Sequence, residues 1–475
     1  MQQSSFKCGA SIPKNGVPQT IEDAMSFARA MGKRYLWVDS ICIDQADQVY
    51  KASQIIIMKS IYRGAYLTLI AMSARSANEG LPKLGSKAKL FPQMSCHING
   101  KHLVGLMPTL SQQIWKMSWG KRAWTLQEAL LSPRCLYITD HQLHYECNAM
   151  QCCESLDETD SFSHRIPHDE VDTSQAVWRH ERVGAGCLRN ITSRPSDRLT
   201  HYNRKLILYK YRSMTYDRDA INAFLGILQH LEVFYTKGFC QGLPIEDFQW
   251  GLLWRARQPN PSRCAEYPSW SWAGWKGRIW PGQPFDEART NQFPVHIQIW
   301  MATTDGKLER IFHTSEESGN GTYELEENIG MDPVTEAAKI EPESVVFNSE
   351  LRMLGFSQSH IFIEAIFFHF SAKYTVVHQI IGEEVLFAQM IGGVRCLIRI
   401  MRTDAEWQSA QSEQDFVLLG RDKGSGYIWH HLLLLKYPQN TTVAIRGTVI
   451  ALLVPVGKLK ILEEMQPRKQ QIVLT

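Results

Sequence analysis

The sequence predicts an α/β fold, with a parallel sheet, over its first 154 residues. Two segments with apolar residues at helical spacing, 21–31 and 50–62, alternate with two short continuous apolar runs, 35–38 and 65–71. Apolar runs of this length are typical of strands buried on both faces of a parallel sheet. The order helix, strand, helix, strand therefore favours the α/β class.

The first predicted helix has signals at both ends. Thr20 followed by Asp23 resembles a capping box, with a carboxylate near the positive end of the helix dipole. Gly32 stands where a C-terminal cap belongs, because glycine adopts the left-handed conformation without strain. These signals predict a helix that begins at Thr20 and ends just before Gly32.

The rest of the chain divides into regions of different composition. A predicted hairpin near residue 140 closes the first domain, 1–154. Residues 155–199, rich in Asp, Glu, His, Ser and Arg, are predicted to be a linker or an exposed excursion. A helical and Trp-rich segment is predicted at 200–275, and short strand-like runs predict a β-rich C-terminal region at 276–475.

Composition and charge narrow the classes of function. The chain of 475 residues has 51 Lys and Arg against 48 Asp and Glu, so its net charge of +3 leaves no electrostatic footprint for nucleic acid. Residues 1–150 hold 17 Lys and Arg against 9 Asp and Glu, an excess that either favours an anionic small molecule or is a solvated surface. Without a signal peptide or a bilayer-length apolar stretch, we expect a cytoplasmic protein with no membrane span.

Three segments occur together in an order that points to a family. They are YLWVDSICIDQ at 35–45, MKSIYRGAYLTLIA at 58–71 and RAWTLQE at 122–128. Together they resemble the fungal heterokaryon incompatibility (HET) domain, and YRSMTY at 211–216 and PSWSWAGW at 268–275 are similar to regions that follow it in large fungal proteins. The resemblance implies non-self recognition and programmed cell death when incompatible fungal cells fuse.

The resemblance also carries an expectation about the fold. HET domains usually begin with a strand of the pattern Tyr-x-x-Leu-Ser-Tyr-x-Trp-Gly, and no such pattern precedes the first helix in this sequence. HET domains are distantly similar to TIR domains, whose sheet is flavodoxin-like. The implied fold is a TIR-like (flavodoxin-like) parallel-sheet domain that lacks its first strand, through a clipped gene model or as a decayed paralogue.

The similarity to TIR domains supplies a candidate catalytic residue. Several TIR domains cleave the bond between nicotinamide and ribose in NAD with a glutamate in a Trp-Cys-x-x-Glu pattern, and Trp124 and Glu128 have the same spacing. A carboxylate beside the ribose would stabilise its oxocarbenium-like transition state. Trp124 would offer a flat face to a ring, and Arg122 and Lys121 would meet the pyrophosphate. Alternatively, Trp124 is a core residue and Glu128 a carboxylate on the helix surface.

Three polar residues follow the first predicted strand. Asp39, Ser40 and Asp44 come just beyond its carboxyl end, which is where open α/β sheets bind ligands. They are therefore candidates for positioning the ribose of a substrate. The equal alternative is that the two aspartates cap the loop by accepting hydrogen bonds from backbone N–H groups.

A cluster of metal-ligand residue types is the other candidate. His141, His144, Cys147, Cys152 and Cys153 lie within thirteen residues, but their spacing matches no common structural zinc pattern. Residues that pack or face solvent are the commoner explanation, so we assign no metal. No cofactor is expected, and NAD enters only as a candidate substrate.

The predicted function follows from the family resemblance. We expect an intracellular effector of heterokaryon incompatibility that acts by self-association of its TIR-like domain, with NAD cleavage by Glu128 as its candidate chemistry. The alternative is an inactive or truncated family member that serves only as a protein-interaction module. The expected partners are other incompatibility proteins and further copies of this chain, with no nucleic acid and no membrane span.

Overall fold

The described residues form two compact units. The computed structural model describes residues 16–82, 84, 91–105, 107–147, 150–155, 195–258, 261–282, 295–302, 308–314, 334, 337, 360–371, 376–381, 384–391, 394–401, 413–424, 427–437 and 443–475. The first unit takes in Met1–Thr192, Arg212–Thr215 and Asn222–His230, and the second takes in Ser193–Tyr211, Tyr216–Ile221 and Leu231–Thr475. Most of the predicted linker lies outside the described residues, and the predicted domain boundaries remain a prediction.

The first unit alternates helices with short strands. Its helices up to residue 155 are α1 (Gln19–Ala30), α2 (Asp39–Cys42), α3 (Gln48–Gly64), α4 (Leu110–Ile114), α5 (Ser118–Lys121) and α6 (Trp124–Leu131). Its strands are β1 (Thr68–Ala71), β2 (Ser95–Ile98), β3 (Lys101–Val104), β4 (Arg134–Ile138), β5 (Leu143–Cys147) and β6 (Gln151–Cys153). Both predicted helices, the second apolar strand and the hairpin after it are confirmed.

A four-stranded sheet lies at the centre of this unit, in the order β1-β4-β5-β6. β1 and β4 are parallel, with Thr68 opposite Cys135 and Ala71 opposite Ile138. The β4–β5 and β5–β6 pairs are antiparallel. The prediction of a mixed α/β domain whose sheet contains parallel strands is therefore confirmed.

The prediction of a strand at 35–38 is wrong. Residues 33–38 have no regular secondary structure, and in the part of the chain that the structure describes they pair with no strand. The carbonyl of Val38 instead accepts the N–H groups of Ile41 at 3.0 Å and Cys42 at 2.7 Å, which begins α2. The run is not fully buried either, since Tyr35 is 85% exposed and the three residues after it are half-buried. A strand also requires a neighbour to complete its hydrogen-bond ladder.

The sequence predicts the C-terminal end of α1 correctly but not its N-terminal end. The predicted capping box is wrong, since the N-cap residue is Pro18 and Asp23 accepts the N–H of Leu81 at 2.8 Å. Asp23 is almost fully buried, and its carboxylate also accepts a hydrogen bond from the Gln19 side chain at 2.8 Å, so it joins a distant loop to the start of α1. At the other end Gly32 has φ of +69°, and the prediction of a glycine cap is confirmed.

Helix α6 is buried on two sides. Ala129 joins a core that contains Ile70 of β1 and Tyr137 of β4. Leu131 packs with Met58 of α3. The helix is thereby fixed between the sheet and α3, which determines where its remaining side chains point.

The second unit begins with helices and continues as strands. Among the described residues, two α-helices of this unit precede its sheet, α7 (Pro195–Lys210) and α9 (Phe248–Gly251). Helix α8 (Asn222–Leu231) comes between them along the chain and belongs almost wholly to the first unit. Its short strands are β7 (Phe239–Cys240), β8 (Leu243–Pro244), β9 (Arg255–Ala256) and β10 (Ile279–Trp280). The longer strands are β11 (Ile297–Ala302), β12 (Leu308–His313), β13 (Ile361–Ser371), β14 (Val376–Ile381), β15 (Glu384–Ile391), β16 (Val394–Met401), β17 (Glu413–Gly424), β18 (Tyr427–Lys436), β19 (Val443–Pro455) and β20 (Arg468–Leu474).

These longer strands form one sheet, so the predicted β-rich C-terminal region is confirmed. The strand order is β12-β11-β13-β17-β18-β19-β16-β15-β14, and β20 pairs with both β13 and β19. The β13–β20 pair is antiparallel over Ile361–Phe367, whereas β19 and β20 are parallel. Strands β13, β17, β18, β19 and β20 are thus hydrogen-bonded in a closed circuit.

Tryptophans pack densely within this unit. Trp254, Trp270 and Trp272 are among its largest fully buried side chains. The indole N–H of Trp272 donates to the hydroxyl of Tyr202 at 2.9 Å, which satisfies its polar atom. The PSWSWAGW segment is therefore a core element.

Candidate functional site

The candidate carboxylate, Glu128, lies on α6. Good helix formers surround it in the sequence WTLQEALL, and its immediate neighbours Gln127 and Ala129 are buried, while Glu128 itself is half-buried. The hydroxyl of Ser132 donates to the Glu128 carbonyl at 2.6 Å and lies 2.6 Å from the hydroxyl of Thr68 on β1. These contacts join the end of α6 to the sheet and hold Glu128 in place.

The surroundings of Glu128 favour its protonated form. Burial, followed by the negative charge of Asp39, raises the pKa of Glu128 from 4.5 to about 7. The positive charges of Arg122 and Arg212 and a hydrogen bond from Trp119 oppose this shift. A carboxyl with a pKa near neutrality can hold or release a proton at physiological pH, as groups used in acid–base chemistry do.

Asp39 is brought to this site by α2. It is the first residue of that helix, it is exposed, and its Oδ1 accepts the N–H of Ser40 at 2.7 Å. Its charge acts on both Glu128 and Tyr62, so the three side chains share one electrostatic neighbourhood. The charge of a carboxylate on α2 therefore acts on a carboxyl group on α6.

Tyr62 of α3 forms the apolar side of the site. Burial, together with the charges of Glu128 and Asp39, holds the pKa of the Tyr62 phenol well above its ordinary value. Its ring meets that of Trp37 edge to face, with 5.7 Å between centroids. Tyr62 is thus a neutral hydroxyl at every physiological pH.

Arg212 supplies a buried positive charge. Its Nη1 donates to the Thr125 hydroxyl at 2.7 Å and to the Arg122 carbonyl at 3.1 Å, and its guanidinium carbon lies 5.3 Å from the centre of the Trp119 ring. Burial lowers the pKa of Arg212 to about 10, while the charge of Glu128 opposes that change. Because a pKa of 10 lies far above neutrality, Arg212 remains charged.

The chain segment after α7 carries Arg212 into the site. The N–H of Ser213 donates to the Lys121 carbonyl at 2.5 Å, and the N–H of Ala123 donates to the Ser213 carbonyl at 2.9 Å. This short parallel bridge lies across the junction between α5 and α6. A segment about eighty residues downstream of Glu128 is in this way built into the first unit.

The structure brings some of the predicted site residues together. Asp39, Arg122 and Glu128 share one neighbourhood. Trp124 opens α6 and packs against the cluster formed by α3 and the end of α6, as its core interpretation predicts. Asp44 accepts the N–H of Ala46 at 2.9 Å, as its loop-capping alternative predicts.

Two further predicted residues have mainly backbone roles. Ser40 is exposed, and its N–H donates to Asp39. Lys121, predicted for the rim, is also exposed, and its carbonyl anchors Ser213. Neither residue is among the charges that act on Glu128.

Three site residues were not singled out from the sequence. In the sequence, Tyr62 and Trp119 are ordinary aromatic residues of apolar segments. Arg212 lies outside the predicted first domain, residues 1–154. The signal available for Arg212 was its segment YRSMTY, which resembles a region that follows HET domains but suggested no chemistry.

The His and Cys cluster forms part of the sheet. His144 is buried on β5 opposite Cys153, its Nε2 lies 3.4 Å from Nε2 of Gln113, and burial lowers its pKa to about 4. The ring of His141 stacks on Phe91 with 4.6 Å between centroids. Among the described residues, no group of three or more His, Cys, Asp or Glu side chains is arranged to hold a metal ion.

Comparison with known proteins finds a family match for part of the first unit. A family model described as Heterokaryon incompatibility protein (HET) matches residues 2–128, which includes Asp39, Tyr62, Arg122 and Glu128. The searches of curated proteins and of solved structures each returned no match. Of the helices that the structure describes, none has the length and apolarity needed to cross a membrane. Residues 2–128 of the chain therefore contain a heterokaryon incompatibility (HET) domain.

Proposed function

We propose that this protein is an intracellular effector of fungal heterokaryon incompatibility that causes cell death by cleaving NAD. The observation that carries the proposal is the environment of Glu128. This carboxyl is half-buried, the charges of Asp39 and two arginines act on it, and its pKa is raised to about 7. Such a perturbation is typical of residues that do chemistry, although ion-pair networks also produce it. The resemblance to TIR domains supplies the reaction.

The proposed reaction breaks the bond between nicotinamide nitrogen and C1′ of the ribose. The bonding electron pair leaves with nicotinamide, which becomes neutral and needs no general acid, and positive charge develops on the ribose. The Glu128 carboxylate stabilises that charge and accepts a proton from the water that adds to C1′. The products are nicotinamide, ADP-ribose and one proton.

The arginines suit the remainder of the substrate. Arg122 is exposed at the start of α6 and would pair with the pyrophosphate. Arg212 is buried and hydrogen-bonded to Thr125, so its part is to balance the negative charge of the two carboxylates. Asp39 would accept hydrogen bonds from a ribose hydroxyl.

The test is NAD turnover by the purified chain and by its Glu128→Gln variant, which keeps the side-chain volume. We expect release of nicotinamide by the parent chain and at least a hundredfold lower rate for the variant, with Glu22→Gln on α1 as the matched control. Because the carboxylate is the active form, the rate should rise with pH through about 7. Equal rates for parent and Glu128→Gln, with both folded, would refute the proposal.

A second candidate function is that of an interaction module without catalysis. The β2–β3 hairpin is exposed along its whole length, and its apolar side chains include Ile98 at 53% exposure and Leu103 at 49%. An isolated two-stranded hairpin is marginally stable in water, and exposed apolar residues on it favour a partner. Cell death without loss of NAD, abolished by Leu103→Glu, would support this alternative.

A further inference from the structure

A cleft of about 160 Å³ lies between α1 and the segment 33–42. Its floor is apolar and half-buried, and α1 and the segment contribute to it in equal parts. The floor residues are Ile21, Met25, Ala28, Leu36, Val38 and Ile41. The spacing of the first three puts them on one face of α1.

The rim of this cleft is positively charged. Arg29, Lys33 and Arg34 line it, and all three are exposed. Cation–π contacts hold two of them, since Nζ of Lys33 lies 3.5 Å from the centre of the Tyr66 ring and the Arg34 guanidinium lies 5.6 Å from that of Tyr35. Among the described residues, no carboxylate lines the cleft. The electrostatic potential in the cleft is therefore positive, which favours the binding of an anion.

The size of the cleft limits the body of a ligand. An apolar protein cavity of about 150 Å³ accommodates benzene, so this cleft has room for one six-membered ring or a chain of similar volume. An anionic head on such a body would reach the rim, where two guanidinium groups suit a phosphate or carboxylate. We propose that the cleft binds a small organic anion with a single-ring body and a phosphate or carboxylate head.

This site is separate from the one that contains Glu128. None of the residues that line the cleft is Glu128 or one of the groups that act on it, which are Asp39, Arg122, Arg212 and Trp119. The inference therefore does not depend on NAD cleavage. It also gives a specific reason for part of the basic excess in the first 150 residues.

Cys42 provides a direct readout. Its half-buried thiol lines the cleft, so an occupant should shield it from iodoacetamide, whereas the exposed Cys96 on β2 serves as an internal control. With phenyl phosphate as the probe, we expect saturable slowing of Cys42 alkylation by fivefold or more, measured by peptide mass spectrometry, and no change at Cys96. Phenol and inorganic phosphate at the same concentration should each protect less than twofold, since each lacks one half of the proposed ligand.

Variants separate the rim from the floor. Arg29→Gln combined with Arg34→Gln should abolish protection, while Arg63→Gln, which removes an exposed cation at the end of α3, should leave it unchanged. Ala28→Phe should fill the floor, abolish protection by phenyl phosphate and itself slow alkylation of Cys42. Protection by phenol equal to that by phenyl phosphate, or protection that survives the double substitution in a folded protein, would overturn the proposal.

Discussion

The raised pKa of Glu128 predicts how the free energy of unfolding changes with pH. A carboxyl that takes up protons more readily in the folded than in the unfolded state stabilises the fold only while it stays protonated. Here the pKa rises from 4.5 to about 7, so stability should fall as the pH rises between these values. Glu128→Gln removes the ionisation and keeps the shape of the side chain, so it should remove this fall.

The size of the effect follows from the shift. Going from 4.5 to about 7 corresponds to about 3 kcal/mol of stability lost on ionisation. Because Glu128 is only half-buried, solvent screens part of this cost, and we expect about 1–3 kcal/mol. At pH 4 the variant should match the parent chain, and above pH 8 it should be more stable by that amount.

Urea denaturation at a series of pH values, followed by tryptophan fluorescence, measures this difference. The chain has 14 tryptophans, so this signal follows unfolding of the chain as a whole, and Trp119, which hydrogen-bonds Glu128, contributes to it. The control is Glu22→Gln, the same carboxyl-to-amide change on α1. Parallel curves for parent and Glu128→Gln from pH 4 to 8 would refute the assignment of a perturbed carboxyl at this position.

Two further substitutions test the packing of the first unit. Gly120→Ala would put a Cβ atom 1.7 Å from the carbonyl oxygen of Ile114 and should lower the stability measured by thermal unfolding by more than about 3 kcal/mol. Gly64→Ala is the control, because its Cβ atom would meet nothing within 4 Å, and it should be neutral or stabilising. Equal melting temperatures for the two variants would contradict the tight contact at Gly120. Asp23→Ala leaves the buried N–H of Leu81 without its acceptor and should cost about 1–3 kcal/mol in chemical denaturation; a loss below about 0.5 kcal/mol would mean that water replaces the carboxylate.

The sequence predicted elements that carry their own signals and missed those that depend on distant partners. Gly32 ends α1 as predicted, because a left-handed glycine cap is a local property. The apolar run at 35–38 predicts a strand that does not form, because a strand requires a neighbouring strand to pair with. No described strand pairs with these residues. The spacing of Thr20 and Asp23 predicts a cap, whereas the partner of Asp23, Leu81, is far along the chain.

The candidate site follows the same division. Glu128 and Arg122 could be selected because their motif is contiguous and resembles a known pattern. Arg212 could not, because its role depends on Ser213 bridging to Lys121 across some ninety residues. The pKa of Glu128 depends on burial and on Asp39, neither of which sequence spacing encodes.

The closed circuit of strands in the second unit has a consequence for biosynthesis. β13 contains the apolar segment IFIEAIFF, and its antiparallel partner β20 is made about a hundred residues later. At about 5–20 residues per second, a ribosome needs some 5–20 s to reach β20. During that interval the β20-facing edge of β13 is open to pairing with other nascent chains. We therefore expect the yield of folded protein to depend more on translation speed and chaperone supply than on the stability of the finished sheet.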